Sequence, residues 1–318
     1  MQGRGYLSRS SRGVPSLGEP SPEIMGRRTG FRSQALPFLL PAVSILLFFT
    51  IFPFLFTIAL TFSRVSLVGG LKLRFGGLQN WIRLVHDDRF WNSLSNTFFI
   101  VAVAVSVEFL LGLGLALLTN RPLRGGSVFR TIFILPMALA PIAIGYIWLM
   151  IYHETIGPLN ALLERIGLPA VGWVSNRNVA IYSIILTDIW HWTPFMFIVL
   201  LAGLQSLPTE VLEAAQIDGT SGWQLFRYIT FPMIRPTAIA AIILRSLEAF
   251  KIVDEIFIIT GGGPGVSTES LTLHAYYIGF LSFDLAYGAT IAMSLFLSVL
   301  VVAILTVRIT QRYQRVEV

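Results

Sequence analysis

Apolar residues fall into six long runs, at 35–62, 93–118, 131–152, 179–204, 237–259 and 285–307, separated by intervals where charge, glycine and proline gather. A helix of about 20 apolar residues spans the hydrocarbon of a bilayer, and each run reaches that length. Inside lipid the backbone has no water to bond, so such runs must form helices that satisfy their own amides. The pattern therefore predicts an all-α membrane protein with six transmembrane helices. The first run is too long for the apolar core of a signal peptide and no small-residue cleavage site follows it, so it is kept as a span.

The longest polar interruption, 207–236, reads LPTEVLEAAQIDGTSGWQLFRYITFPMIRP. It predicts two short helices and a turn. Ser206 is placed to cap the first helix, Pro208 sits in its first turn, and Glu210 and Glu213 lie toward its positive end. Asp218 and Gly219 break it. Ser221 and Gln224 have the spacing of a capping box for the second helix, which Pro232 and Pro236 are expected to close. Glu213, Ala214 and Ala215 are expected to form a small, nearly flat exposed face, and Gly219 allows a turn conformation that other residues resist. Such a face suits the docking of another protein better than it suits chemistry.

Charge gives the runs a direction. Of 23 Lys and Arg, alternate sides hold fourteen (six before residue 35, then Arg121, Arg124, Arg130, Arg227, Arg235, Arg308, Arg312 and Arg315) and seven (Arg64, Lys72, Arg74, Arg83, Arg89, Arg165 and Arg177). Cytoplasmic loops carry the excess, so both termini and the helical elbow at 207–236 are expected in the cytoplasm. The net charge of +6 is thus a membrane asymmetry and implies no nucleic-acid partner. Residues 1–34, with six arginines, six glycines and three prolines, read as a basic, mobile arm ahead of a membrane-spanning domain at 35–318. With 54% hydrophobic and 13% charged residues the chain is no soluble domain, and without cysteine it has neither disulfides nor a thiolate metal site. The opposite side carries the intervals 63–92, 153–178 and 260–284; the second is expected to hold short helices lying on the membrane.

The fifth run carries Arg245, Glu248, Lys251, Asp254 and Glu255, a charge density that must face the protein interior or a watery cavity. Arg245 with Glu248 and Lys251 with Glu255 have helical spacing for pairs, read either as a structural ladder or as the lining of a translocation path. The fourth run holds Asp188, Trp190, His191 and Trp192, ingredients of a sugar site in which ring faces stack on C–H groups and polar groups bond hydroxyls. The two tryptophans lie about 200° apart on a helix and cannot share one cavity. Glu108 is an isolated carboxyl in the second run. Gly261, Gly262, Gly263 and Pro264 read as a turn on the outer side rather than a phosphate loop, since no Gly-Lys-Ser/Thr occurs in the chain. His86, Asp87 and Asp88 read as a solvated loop, with no metal site and no catalytic residues expected.

Glu213-Ala214-Ala215, Gly219 six residues beyond Glu213, and Ile229 with Pro232 resemble the EAA loop of permease subunits of bacterial ABC importers. Together with Trp192 to Phe195 and the 260–265 segment, they are similar to the carbohydrate branch of that family, the maltose, trehalose and glycerol-phosphate type. The resemblance implies the type I importer transmembrane fold and an ATPase-coupling role for Glu213, Ala214, Ala215, Asp218 and Gly219. It also implies a second related permease, two ATP-binding subunits that hold the ATP and Mg, and an extracytoplasmic substrate-binding protein. The chain itself binds no cofactor on this reading. A sugar carrier is expected, a polyol or glycerol-phosphate carrier of the same family is the alternative, and a stand-alone secondary transporter is a further one. A membrane-embedded enzyme would have only Asp188 and His191 to start from.

Overall fold

The structure, a computed structural model, describes residues 23–66, 70, 72–120 and 125–316. Two units divide the chain, Met1–Phe56 and Thr57–Val318. Helix α1 (Glu23–Thr61), all but its last five residues in the first unit, carries the first apolar run. It begins within the stretch assigned to the basic arm, whose remainder, 1–22, lies outside the described residues, as do Arg121 and Arg124. Residues 39–56 are exposed throughout, and Phe48, Phe52 and Phe56 stack in series with centroids 5.5 and 6.1 Å apart. An apolar surface this continuous belongs in lipid or against another membrane helix.

The second unit opens with an antiparallel hairpin of β1 (Ser63–Ser66) and β2 (Lys72–Phe75), with Ser63 opposite Phe75. The helices follow as α2 (Gln79–Val85), α3 (Asp88–Thr119), α4 (Gly126–Ala138), α5 (Pro141–Ile151), α6 (Pro158–Arg165) and α7 (Ala180–Gln205). Next come α8 (Thr209–Ile217), α9 (Gly222–Leu225), a π segment at Phe226–Thr230, α10 (Phe231–Ala249) and α11 (Asp254–Ile259). The chain ends with α12 (Leu271–Tyr276), a second π segment at Tyr277–Leu281, and α13 (Leu285–Val316). Among the described residues five helices are long and apolar enough to cross a membrane, and α4 with α5, bent by 98°, makes a sixth candidate.

Two of the six runs therefore break. In the third, Pro141 holds the preceding Ala140 in extended backbone (φ −67°, ψ 137°), so the helix ends and restarts in a new direction. The fifth run, expected to be one helix over 237–259, instead ends at Ala249, turns through 250–253 and resumes as α11. At its other end the proline rule failed: Pro232 and Pro236 do not close the second elbow helix, which passes through the π segment and continues as α10. The π segment changes the hydrogen-bond register just ahead of Pro232, which lacks its N–H and falls in the first turn of α10.

The core is built on α3 and α7, which run parallel. A Cβ on Gly112 would lie 2.6 Å from the Met196 Cβ, so only glycine lets the two backbones meet there. Val101, Val105, Leu113, Met196, Phe197 and Leu200 fill the seam, and Ile234, Ala238 and Ala241 of α10 close it. A second cluster joins Ile100, Ile144, Trp148, Ile184 and Ile256 of α3, α5, α7 and α11.

Candidate functional site

The elbow takes shape from its caps and its turn. Ser221 accepts a hydrogen bond from the Gln224 backbone N–H, and the Gln224 side chain accepts one from the Ser221 N–H at 2.8 Å, the capping box the spacing predicted. Gly219 adopts φ +77° after Asp218, and the Thr220 N–H and hydroxyl both reach back to the Ala215 carbonyl, at 3.2 and 2.7 Å. Two details differ from expectation. Ser206 caps nothing at the start of α8: it closes α7, its hydroxyl donating to the Gly203 carbonyl, and Pro208 stands at the α8 N-cap. Ala215 is buried, so the open face is Glu213, Ala214, Gln216 and Ile217, because a helix this short must turn one side onto its own elbow. Ile217 of that face, and Trp223 and Tyr228 beyond the turn, are exposed by 86%, 71% and 74%.

Deep in the helices the charges pair across elements rather than along one. Arg245 of α10 is buried; its Nε and Nη2 donate to Glu108 of α3 at 2.8 and 2.9 Å, and Nη2 also donates to Asp188 of α7 at 2.5 Å. Its guanidinium carbon lies 4.9 Å from the centre of the Trp192 ring. The expected pairs Arg245–Glu248 and Lys251–Glu255 do not form. Glu248, exposed in the last turn of α10, instead takes Lys251 of the following turn at 2.8 Å, and Glu255, buried, meets His191 Nδ1 at 2.6 Å. Geometry explains the exchange: along a straight helix Glu255 would stand about 15 Å past Arg245. The turn at 250–253 folds it back, so that Asp188 and His191, one helical turn apart, each hold a partner. Asp188 and His191 are not bonded to each other, which removes the one start of a catalytic dyad the sequence offered.

Beside this network lies a cleft of about 210 Å³ lined by Pro141, Asp188, Trp192, Arg245, Glu248 and Lys251, together with residues 252–255. Trp192 therefore faces the cleft, whereas Trp190 points elsewhere and sets its ring edge-on to Trp148 at 5.7 Å. Glu108 was legible as an odd carboxyl but not as the partner of Arg245. The signal was available: Arg245 and Lys251 were the two cations left over from the count by sides.

The glycine turn is locked to the start of α3. Gly261, Gly262 and Gly265 have positive φ, and the Gly263–Pro264 bond is cis. Beyond them Glu269 receives Arg89 at 3.0 and 2.6 Å and the Ser93 hydroxyl at 3.1 Å, while His274 Nδ1 lies 2.7 Å away. Burial pushes the Glu269 carboxyl up, but His274 and Arg89 outweigh it and hold it below the ordinary value. Asp87, read only as part of a solvated loop, caps α3 through the Arg89 and Phe90 N–H groups and accepts the Tyr287 hydroxyl. Against the cost of burial, these bonds likewise hold it low. Among the described residues no cluster of His, Asp and Glu is arranged for a metal.

Residues 108–315 match the family described as binding-protein-dependent transport system inner membrane component. A probable ABC transporter permease of Pyrococcus horikoshii is 37% identical, over 86% of this chain and 95% of that one. The trehalose/maltose transport system permease of Thermococcus litoralis is 36% identical, over 85% of this chain and 92% of its own. Among solved structures, a bacterial ABC transporter involved in the import of the acidic polysaccharide alginate superposes with a TM-score of 0.79 at 21% identity, over 91% of this chain and 99% of that one.

Proposed function

Because the chain belongs to the family of binding-protein-dependent transport system inner membrane components, we propose that it is one of two related permease subunits through which an ATP-driven importer carries a di- or oligosaccharide. Its own part is passage, not catalysis. ATP and Mg bind two separate ATPase subunits, one of which docks on the elbow through Glu213, Ala214, Asp218 and Gly219, with Ala215 and the Gly219 turn setting its shape. An extracytoplasmic binding protein delivers the sugar to the opposite side, and both termini lie with the elbow in the cytoplasm. The trehalose/maltose relative supports the cargo class.

The observation that carries this reading is the elbow itself. A helix pair with a small-residue face and exposed Ile217, Trp223 and Tyr228 stands in the chain between α7 and α10, two helices that reach the buried charge network. Movement of the elbow is thus movement of the cleft walls. Closing of the ATPases on ATP would drive the elbow as a lever, and coupling requires only that the closed ATPases and the outward-open permease favour each other.

A mild-detergent pull-down of the tagged chain from its native membranes, with Glu213→Arg alongside, tests the assignment. Wild type is expected to bring down an ATPase and a second permease, and the variant to keep the permease but lose the ATPase. Recovery of the ATPase undiminished with the variant would remove the elbow from the interface.

A further inference from the structure

The charge balance of the cleft constrains what can pass it. Six ionisable side chains line it, of which four are acidic, Asp188, Glu248, Asp254 and Glu255, and two basic, Arg245 and Lys251. Neither cation stands unpaired. Arg245 is spent on two carboxylates, Glu108 behind it and Asp188 beside it, and it is 1% exposed. Lys251 is held by Glu248 at 2.8 Å. His191 is committed to Glu255, and Asp254, exposed at the rim, has no ion-pair partner among the described residues. An anion in this cleft would meet unpaired negative charge and no uncommitted donor of positive charge. A hydroxyl-rich neutral molecule would meet carboxylate oxygens with spare acceptor capacity and the face of Trp192.

We infer that the cleft between α5, α7, α10 and α11 passes cargo without net negative charge, an uncharged sugar or polyol, and rejects phosphorylated and uronate sugars. The inference rests on the reading of this cleft as the cargo route. The fold does not impose it, since the same fold serves a transporter involved in import of an acidic polysaccharide. What imposes it is the pairing of Arg245. Had that guanidinium faced the cleft with only Glu248 beside it, as helical spacing alone allowed, a phosphate could have displaced the carboxylate. Bidentate contact with Glu108 on one side and Asp188 on the other closes that option, because releasing Arg245 would strand two buried carboxylates.

The test is uptake by the complete importer in proteoliposomes, with wild type and Glu248→Gln compared on two matched pairs: trehalose against trehalose phosphate, and maltose against digalacturonate. Wild type is expected to import at least one neutral member, and its anionic partner measurably but far more slowly. Glu248→Gln leaves Lys251 without its partner at an exposed position and does not alter the binding protein. A unit charge removed several ångströms from the path is expected to raise the anion-to-neutral uptake ratio about threefold. Import of an anion by wild type at the rate of its neutral partner overturns the inference and leaves the importer reading standing. An unchanged ratio in Glu248→Gln overturns the cleft as the origin of the preference. Import of no member of either pair, by an importer whose ATPase still turns over, overturns the sugar reading and the inference with it.

Discussion

Arg245 shows how unevenly a buried charge distributes its energy. The guanidinium, its Trp192 contact and the two carboxylates were all taken out of water to form the network, so the assembled set contributes little net stability, but removal of one member leaves opposite charge buried and unpaired. Arg245→Met is therefore expected to cost about 3–5 kcal/mol and to lower the thermal unfolding midpoint in detergent. Adding Glu108→Gln to that variant should recover part of the loss, since one of the stranded carboxylates is then gone. A midpoint equal to wild type in Arg245→Met would deny the triad any structural weight. The sequence made the density of charge on the fifth run plain, yet it suggested the wrong partners. Spacing arithmetic along one helix sees Glu248 three residues from Arg245, and has no view of Glu108, 137 positions away, reaching the same atoms.

Elements were legible where a local rule governs them and illegible where packing does. Ser221 with Gln224 and the Asp218–Gly219 turn were readable, because a cap and a left-handed residue are decided within a few positions. The hairpin at 63–75 went unread although the Gly-Gly pair at 69–70 offered a turn signal. The break at 250–253 had no comparable mark, since it exists to return Glu255 to His191. The contact of α3 with α7 belongs to the same class: nothing in the second run distinguishes Gly112 from Gly114, yet a Cβ at 112 meets the Met196 side chain and the Phe197 backbone N at 2.6 and 2.9 Å, while 114 has nothing within 4 Å. Gly112→Val should push the two helices apart and lower both membrane-extracted yield and unfolding midpoint, with Gly114→Val close to wild type. Equal behaviour of the two variants would show that the α3–α7 seam tolerates the added volume. In lipid, where apolar burial gives little drive for helix association, such close approach is a principal source of cohesion.

At the scale of the molecule, the six apolar runs anticipated the number of candidate spans, but not what ties distant parts of the chain together. Much of that tie is polar and lies outside the spans. Glu269 draws in Arg89 and His274, Asp87 takes the Tyr287 hydroxyl, and Arg83 pairs with Asp284 at 2.7 Å, so α2, α3, α12 and α13 meet in one network. Both Glu269 and Asp87 are held below their ordinary values of 4.5 and 3.8. A carboxyl whose folded value is depressed binds protons more readily when unfolded, so its stabilisation is present in full above the ordinary value and is lost as pH falls through the folded one. The unfolding midpoint in detergent is therefore expected to hold steady from neutral pH to about 5 and to decline below about 4.5. In Glu269→Gln the midpoint should start lower at neutral pH and decline less steeply, because one of the titrating groups is gone. A decline equally steep in the variant would mean that acid acts elsewhere, and that the carboxylate joining the 260–270 segment to α3 is not what keeps these helices together.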